Sequence, residues 1–204
     1  MFFLRNGYNY MYNLDIYQEN CSHQVIKDMR SIPHNFAYCM APDQTVYIAG
    51  GGDFGTSDKS VLTNLYQLDF KDECASKKLA SMIYQRHGHT IDYVQNPKNA
   101  SLIVIGSRKD EEEANIRCEE YDIDSDTWKE IPYLNVGRYY HSSALFYNKF
   151  IYVFGGICQK VSGKYLNTIE FLNLERKNCW DIISFQENEF PKRQGCGSMQ
   201  LDEY

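Results

Sequence analysis

The stretch Val46-Tyr47-Ile48-Ala49-Gly50-Gly51-Gly52 decides the fold, because its pattern recurs. An apolar run that ends in small residues returns as Leu102-Ile103-Val104-Ile105-Gly106-Ser107 and again as Ile151-Tyr152-Val153-Phe154-Gly155-Gly156. From Gly50 to Ile105 is 55 positions, and from Ile105 to Gly155 is 50. A period of about 50 residues indicates an array of repeated β-sheet units.

Other residues keep the same period. Arg86, Arg138 and Arg193 stand 52 and 55 positions apart, and Trp128 and Trp180 stand 52 positions apart. In the units over residues 87–138 and 139–193 the order of small residues, Trp and Arg is the same. The chain is therefore predicted to repeat one structural unit.

The unit over residues 139–193 shows its strands most clearly. Runs rich in aromatic and β-branched residues predict strands at 142–147, 150–154, 168–174 and 179–183. Short links join them, which predicts one four-stranded antiparallel sheet. Such a sheet has two apolar faces, so successive sheets must stack to bury each other. Radial stacking of four-stranded sheets is a β-propeller.

At this point the chain resembles the kelch-repeat family, whose blades carry a Gly pair after the second strand and a Trp at the start of the fourth. The resemblance implies an all-β propeller of four-stranded antiparallel kelch blades. The residues to which we assign the structural motif are Gly50, Gly51, Gly106, Gly155, Gly156, Trp128 and Trp180.

Two units depart from this pattern. Ser107 stands where the second glycine is expected, which implies a strained or altered turn. The unit over residues 36–86 has no Trp, and Lys77 and Lys78 lie near the expected position. We expect the apolar residues that follow to fill that space, namely Leu79, Met82 and Ile83.

The repeat predicts a single domain over residues 1–204 with about four blades. Three are complete, at 36–86, 87–138 and 139–193, and residues 1–35 with 194–204 supply a fourth in two pieces. The first piece is predicted to hold strands at 2–4, 10–16 and 24–29. Two interpretations stay open: the C-terminal strand closes a four-bladed ring, or the chain is a fragment of a larger propeller, in which case an open ring could self-associate.

Composition excludes several classes of function. The formal net charge is −6 and no long basic run occurs, which argues against nucleic acid as a partner. Seven cysteines, an odd number without a Cys-x-x-Cys spacing, argue against a disulfide framework and against a zinc site. No apolar stretch is long enough for a membrane span or a signal peptide, so we expect a cytoplasmic protein.

Candidate binding residues lie where one blade leads into the next. Arg and Tyr suit recognition, because the guanidinium group binds carboxylates in pairs and rigid aromatic rings give contact area at low entropic cost. The alternative is that each Arg closes a hydrogen-bond network within its blade. The predicted partner-binding residues are Arg86, His87, Arg138, Tyr139, Tyr140, Arg193 and Gln194.

These observations predict a non-catalytic module that binds a protein or peptide as a scaffold, an adaptor or a substrate-recognition subunit, and the sharper hypothesis is that the partner presents an acidic segment. No catalytic residues, cofactor or metal are predicted, because no nucleophile, carboxylate-pair or phosphate-loop motif occurs. The alternative is a kelch-type oxidase, isomerase or lyase with a small-molecule or metal site in the central opening.

Overall fold

The computed structural model describes residues 2–4, 10–15, 20–27, 29, 31–52, 60–69, 75–95, 99–108, 116–158 and 164–185. Strands are the only regular secondary structure in these ranges. They accordingly include no helix long and apolar enough to span a membrane.

The strands form three four-stranded sheets, one three-stranded sheet and a short hairpin. The three-stranded sheet has the order β1 (Phe2–Leu4), β2 (Tyr10–Asp15), β3 (Asn20–Val25). The first four-stranded sheet has the order β4 (Ala37–Met40), β5 (Val46–Ala49), β6 (Leu65–Asp69), β7 (Ala75–Leu79). The second contains β8 (Thr90–Gln95), β9 (Ala100–Ile105), β10 (Cys118–Asp122) and β11 (Thr127–Ile131). The third contains β12 (Ser142–Phe146), β13 (Phe150–Phe154), β16 (Thr168–Asn173) and β17 (Trp180–Ser184), and β14 (Ile157–Cys158) pairs with β15 (Lys164–Tyr165).

This architecture confirms the predicted all-β propeller of four-stranded antiparallel blades. One predicted strand is displaced: β3 covers Asn20–Val25 rather than residues 24–29. The apolar residues that suggested the later strand, Ile26 and Met29, are buried after β3 ends, where they pack against the next sheet. Their pattern reflects contact between blades rather than strand pairing.

The first strands of the three complete sheets, β4, β8 and β12, lie side by side around the central opening. Because each sheet is a meander, its connections alternate between two ends. We call the end that holds the links between sheets the loop face; its described residues are 31–36, 50–52, 60–64, 80–89, 106–108, 116–117, 132–141, 155–158 and 164–167. The turn face is the other end, with residues 41–45, 123–126, 147–149 and 174–179.

Three buried clusters hold successive sheets together. The cluster around Ile26, Met29 and Ile48 lies at the junction of the three-stranded sheet with the first complete one. The cluster around Leu65 and Leu102 joins the first and second complete sheets. A third joins the second and third complete sheets through Ile103, Ile105, Ile151, Val153 and Trp180. Alternate residues of β5 and of β9 thus serve opposite interfaces, so the first and second complete sheets are buried on both faces.

The glycines of the repeated motif adopt backbone conformations that other residues rarely reach. Gly50 and Gly51 have φ of 58° and 91°, and Gly155 and Gly156 have φ of 57° and 94°. A Cβ on Gly51 would lie 2.8 Å from the His34 carbonyl oxygen, so space also requires glycine there. Ser107 does not share this conformation, since its φ is not positive. The turn is altered at this position rather than strained.

The tryptophans join neighbouring blades. Trp128 Nε1 donates to the Ala80 carbonyl at 2.8 Å, and Trp180 Nε1 donates to the Pro132 carbonyl at the same distance. In the unit without a Trp, Ser76 takes the role: its Oγ donates to the Lys27 carbonyl at 2.6 Å.

The residues expected to fill the space left by the missing Trp differ in their burial. Leu79 and Met82 are buried as expected, whereas Ile83 is exposed. The predicted pairing of residues 194–204 with the N-terminal sheet lies outside the described residues.

Candidate functional site

Each complete blade is entered through a four-residue segment of one conformation. The segments are 33–36, 86–89 and 138–141, and their third residues are Asn35, Gly88 and Tyr140, with φ of 52°, 62° and 51°. The Gly88 N–H donates to the Asn35 carbonyl at 3.0 Å, and the Tyr140 N–H donates to the Gly88 carbonyl at 2.8 Å. The entry segments are therefore linked to one another around the central opening on the loop face.

Arg86 lies inside this structure, with a side chain that is 0% exposed. Its Nε and Nη2 donate to Glu119 Oε1 at 2.9 and 2.7 Å, and its Nη1 donates to the Gly106 and Arg117 carbonyls at 2.7 Å each. The Glu119 carboxylate in turn accepts the Ile83 N–H at 2.6 Å. The guanidinium group thus ties the entry segment to two strands of its blade.

Arg138 repeats the arrangement one blade later. It is also 0% exposed, its Nη2 donates to Glu170 Oε1 at 2.6 Å, and its Nη1 donates to the Gly155 carbonyl at 2.8 Å. Glu170 Oε2 accepts the Asn135 N–H at 2.6 Å. The two pairs occupy the same positions in consecutive blades.

The geometry therefore favours the structural interpretation of Arg86 and Arg138 over direct contact with a partner. Both guanidinium groups are buried, and they donate hydrogen bonds to atoms of their own blades. A sequence signal for this existed: Glu119 and Glu170 are 51 positions apart, close to the spacing of the arginines. The predicted binding residues Arg193 and Gln194 lie outside the described part of the chain.

Three histidines line the same inner region, and all are buried: His87, His89 and His141. Burial lowers the pKa of His141 to about 3, with further lowering by the nearby Arg138 and Arg86. Burial also holds the pKa of His89 well below its ordinary value, so both rings are neutral near pH 7. In the described ranges, no group of three or more His, Cys, Asp or Glu residues is placed to hold a metal ion.

Tyr139 and Tyr140 are more accessible than the arginines. Both are partly exposed, and their rings meet edge to face at 5.2 Å between centroids. The Arg108 guanidinium, on an exposed residue of the same face, lies 5.5 Å from the centre of the Tyr139 ring. Tyr140 packs over Gly88, where a Cβ would lie 2.8 Å from its ring. A cationic and aromatic surface is therefore present at the centre of the loop face.

A second aromatic group on the loop face was not predicted from the sequence. Arg117 lies over the Tyr84 ring at 4.2 Å and over the Tyr133 ring at 5.5 Å. Both tyrosine hydroxyls donate to Glu130 Oε1, at 2.5 and 2.8 Å, and Arg117 pairs with the same oxygen at 3.0 Å. Nothing in the repeat points to this group, because its members do not recur at the period.

Comparisons with known proteins agree with this geometry. The solved structure titled "Structure of YjhT" matches with a TM-score of 0.65 at 15% sequence identity. The match covers 81% of this chain and 54% of that chain, so the chain spans about half the length of that structure. No curated protein of similar sequence is found.

A protein-family model gives the more specific result. The model described as the KLHDC2/KLHL20/DRC7 Kelch-repeats domain matches residues 34–203, which is most of the chain. The match begins at the entry segment of the first complete blade and includes every repeated Arg, Trp and Gly pair named above. The chain belongs to the kelch-repeat family.

Proposed function

We propose that this kelch domain is a non-catalytic interaction module that binds a protein or peptide through the centre of its loop face. The observation that carries the proposal is the exposed Arg108 over the Tyr139 ring, beside Tyr140. Arg and Tyr are among the residues that dominate binding energy at protein interfaces, and a rigid aromatic pair loses little entropy on binding. Membership of the kelch-repeat family supports an interaction role in general.

The neighbouring group around Arg117 would extend this surface. Its hydrogen bonds to Glu130 and its stacking on two tyrosines fix the side chains before a partner arrives. Preorganised side chains give more binding energy for the same contact area, because less freedom is lost on association. Tyr133 is 39% exposed and so remains accessible at the edge of the group.

We further propose that the partner presents an acidic segment to Arg108. The buried arginines are already neutralised by Glu119 and Glu170, and Arg117 is paired with Glu130. Arg108 lies at the centre of the loop face, where a carboxylate could reach both its guanidinium group and the Tyr139 ring. A scaffold, adaptor or substrate-recognition role in the cytoplasm would fit such binding.

We also propose that the domain has no catalytic activity. A hydroxyl and a histidine base meet at Thr90 Oγ1 and His141 Nε2, which are 3.1 Å apart. A pKa of about 3 makes His141 a very weak base near pH 7, which is unsuited to removing a hydroxyl proton.

Affinity capture with variant proteins tests the proposed surface. The loop-face variant Arg108→Ala/Tyr139→Ala is compared with the wild type and with Tyr147→Ala/Lys149→Ala, which removes the same kinds of side chain from the turn face. We expect the proteins captured by the wild type to be retained by the turn-face variant and lost by the loop-face variant. Equal capture by all three proteins would exclude this surface.

A further inference from the structure

The central opening contains a cavity that the proposed interaction surface does not use. Its volume is about 570 Å³, within the range of small-molecule sites. Its described walls are the inner strands β4, β8 and β12, which contribute Cys39, Asp92 and Ser143 among others. A second cavity of about 400 Å³ shares Met40 and Tyr93 with it and extends towards the turn face. Access from that end is separate from the loop face.

Asp92 is the anionic side chain on these described walls. It is partly buried, and it accepts one hydrogen bond, from Ser143 Oγ at 2.5 Å. No Lys or Arg of the described residues forms an ion pair with it. Burial raises its pKa to about 6, which is the result expected for a carboxylate without a counter-charge.

The other titratable groups around Asp92 are neutral near pH 7. On β4, burial raises the pKa of the Cys39 thiol well above its ordinary value. His89, just before β8, is neutral because burial lowers its pKa, and on β8 itself burial raises the pKa of Tyr93. His141, before β12, is neutral as well. Because Arg86 and Arg138 are paired with carboxylates, the described part of the wall carries one negative charge that no described cation compensates.

His89 places a second polar side chain on the cavity wall. It is 6% exposed, one side of its ring approaches the Ala49 backbone, and the hydrogen bonds of the described residues leave a ring nitrogen that can accept another. Buried polar atoms without partners are uncommon, because each costs free energy that a ligand or water can recover.

We propose that this cavity binds an organic ammonium group, with the Asp92 carboxylate as its counter-charge and apolar and aromatic residues around the body of the ligand. Phe36, Met40 and Leu145 supply apolar wall, and Tyr93, the next residue of β8 after Asp92, supplies an aromatic one. An ammonium group would replace the missing counter-charge, and its remaining N–H donors suit the Ser143 hydroxyl and a His89 ring nitrogen. The ammonium could come from a free amine or from the lysine side chain of a partner.

The test uses benzylamine as the probe and benzyl alcohol as its uncharged counterpart, with binding measured by calorimetry at pH 7.5. The variant Asp92→Asn removes the charge but keeps an oxygen that can accept from Ser143. The variant Asp181→Asn removes an exposed aspartate from β17 and serves as the matched control. We expect benzylamine to bind the wild type and Asp181→Asn alike, and to bind Asp92→Asn at least about 10-fold more weakly, as loss of a close charge pair implies.

Benzyl alcohol should not distinguish the three proteins. Benzylamine that fails to bind the wild type at millimolar concentration, or that binds Asp92→Asn equally well, would overturn the proposal. If Asp92→Asn does not fold, the pH dependence of benzylamine binding to the wild type provides the test. The affinity should fall as the pH is lowered from 7.5 to 5, because Asp92 takes up a proton. An affinity that does not depend on pH would contradict the site. Comparison with N-acetyl-lysine amide distinguishes a lysine side chain from a free benzylic amine.

Discussion

Replacing Arg86 with Met should destabilise the fold far more than removing a cation from the surface. Arg86 makes four hydrogen bonds, two to Glu119 and two to backbone carbonyls, and both partners of the ion pair are 0% exposed. Removing one member of a buried pair costs about 3–5 kcal/mol, because the other charge stays buried without compensation. We therefore expect Arg86→Met to lower the free energy of unfolding by that amount.

The exposed pair Lys149–Glu175 provides the matched control. Its atoms are 3.3 Å apart, and its side chains are 46% and 65% exposed. Exposed pairs contribute at most about 1 kcal/mol, so Lys149→Met should change the unfolding free energy very little. Urea denaturation followed by circular dichroism measures both variants. An Arg86→Met loss of less than about 1 kcal/mol would refute the reasoning.

A double variant identifies the source of the cost. In Arg86→Met/Glu119→Leu both buried charges are absent, so the penalty for an uncompensated carboxylate disappears. We expect the double variant to be more stable than Arg86→Met alone. If it is less stable by the sum of the single effects, the two residues do not act as a pair.

Three further predictions concern the inner histidines, the blade contacts and the glycine turn. Because the pKa of His141 is lowered to about 3, the unfolded chain binds a proton that the native state does not between about pH 6.5 and 3. The free energy of unfolding should therefore fall as the pH is lowered through that window. For His141→Gln the fall should be less steep, as measured by urea titrations at pH 7.5, 6, 5 and 4, and parallel profiles of the two proteins would contradict this. Trp128→Phe removes the hydrogen bond to the Ala80 carbonyl and should lower the free energy of unfolding by about 1 kcal/mol or more in the same assay. An unchanged denaturation midpoint would contradict this. Gly51→Ala should lower the free energy of unfolding by about 1–3 kcal/mol, because φ at this position is 91° and the new Cβ would lie 2.7 Å from Pro33 Cβ. An unchanged free energy of unfolding would contradict a strained turn.

Much of the fold was predictable because each repeated residue has a mechanical role. The Gly pairs recur because the turns after β5 and β13 need positive φ, and the tryptophans recur because each donates to the previous blade. Such roles repeat with the blade, so they leave a period in the sequence. The position of β3 was harder to predict, because Ile26 and Met29 are apolar for contact between blades and not for strand pairing.

The candidate site was less predictable, because the period reveals the residues with a structural role in every blade and not the residues that bind a partner. Periodicity singled out Arg86 and Arg138, yet a residue that recurs in each blade serves the blade, and both are buried against Glu119 and Glu170. The first complete blade supports this: Pro33 holds the Arg position and Tyr66 the Glu position, so the pair is replaced as a unit. The exposed surface depends on residues without a counterpart at the period.

The surface around Arg108 belongs to this second kind. Arg108 follows the altered turn at Ser107, and its partner Tyr139 occupies a position held by His34 and His87 in the preceding segments. Variation between blades at one position indicates a residue released from a structural role. Contacts of this kind appear only when the loops are brought together by the fold.

The most direct test of the proposed interaction surface is the equilibrium affinity of a captured partner for purified variants. Arg108→Ala/Tyr139→Ala should weaken binding by at least about 10-fold, because it removes two residues of the kind that dominate interface energy. Tyr147→Ala/Lys149→Ala should change the affinity by less than about 2-fold, because it alters the turn face. Binding that is unchanged in the loop-face variant, or weakened equally in both, would contradict recognition through the loop face.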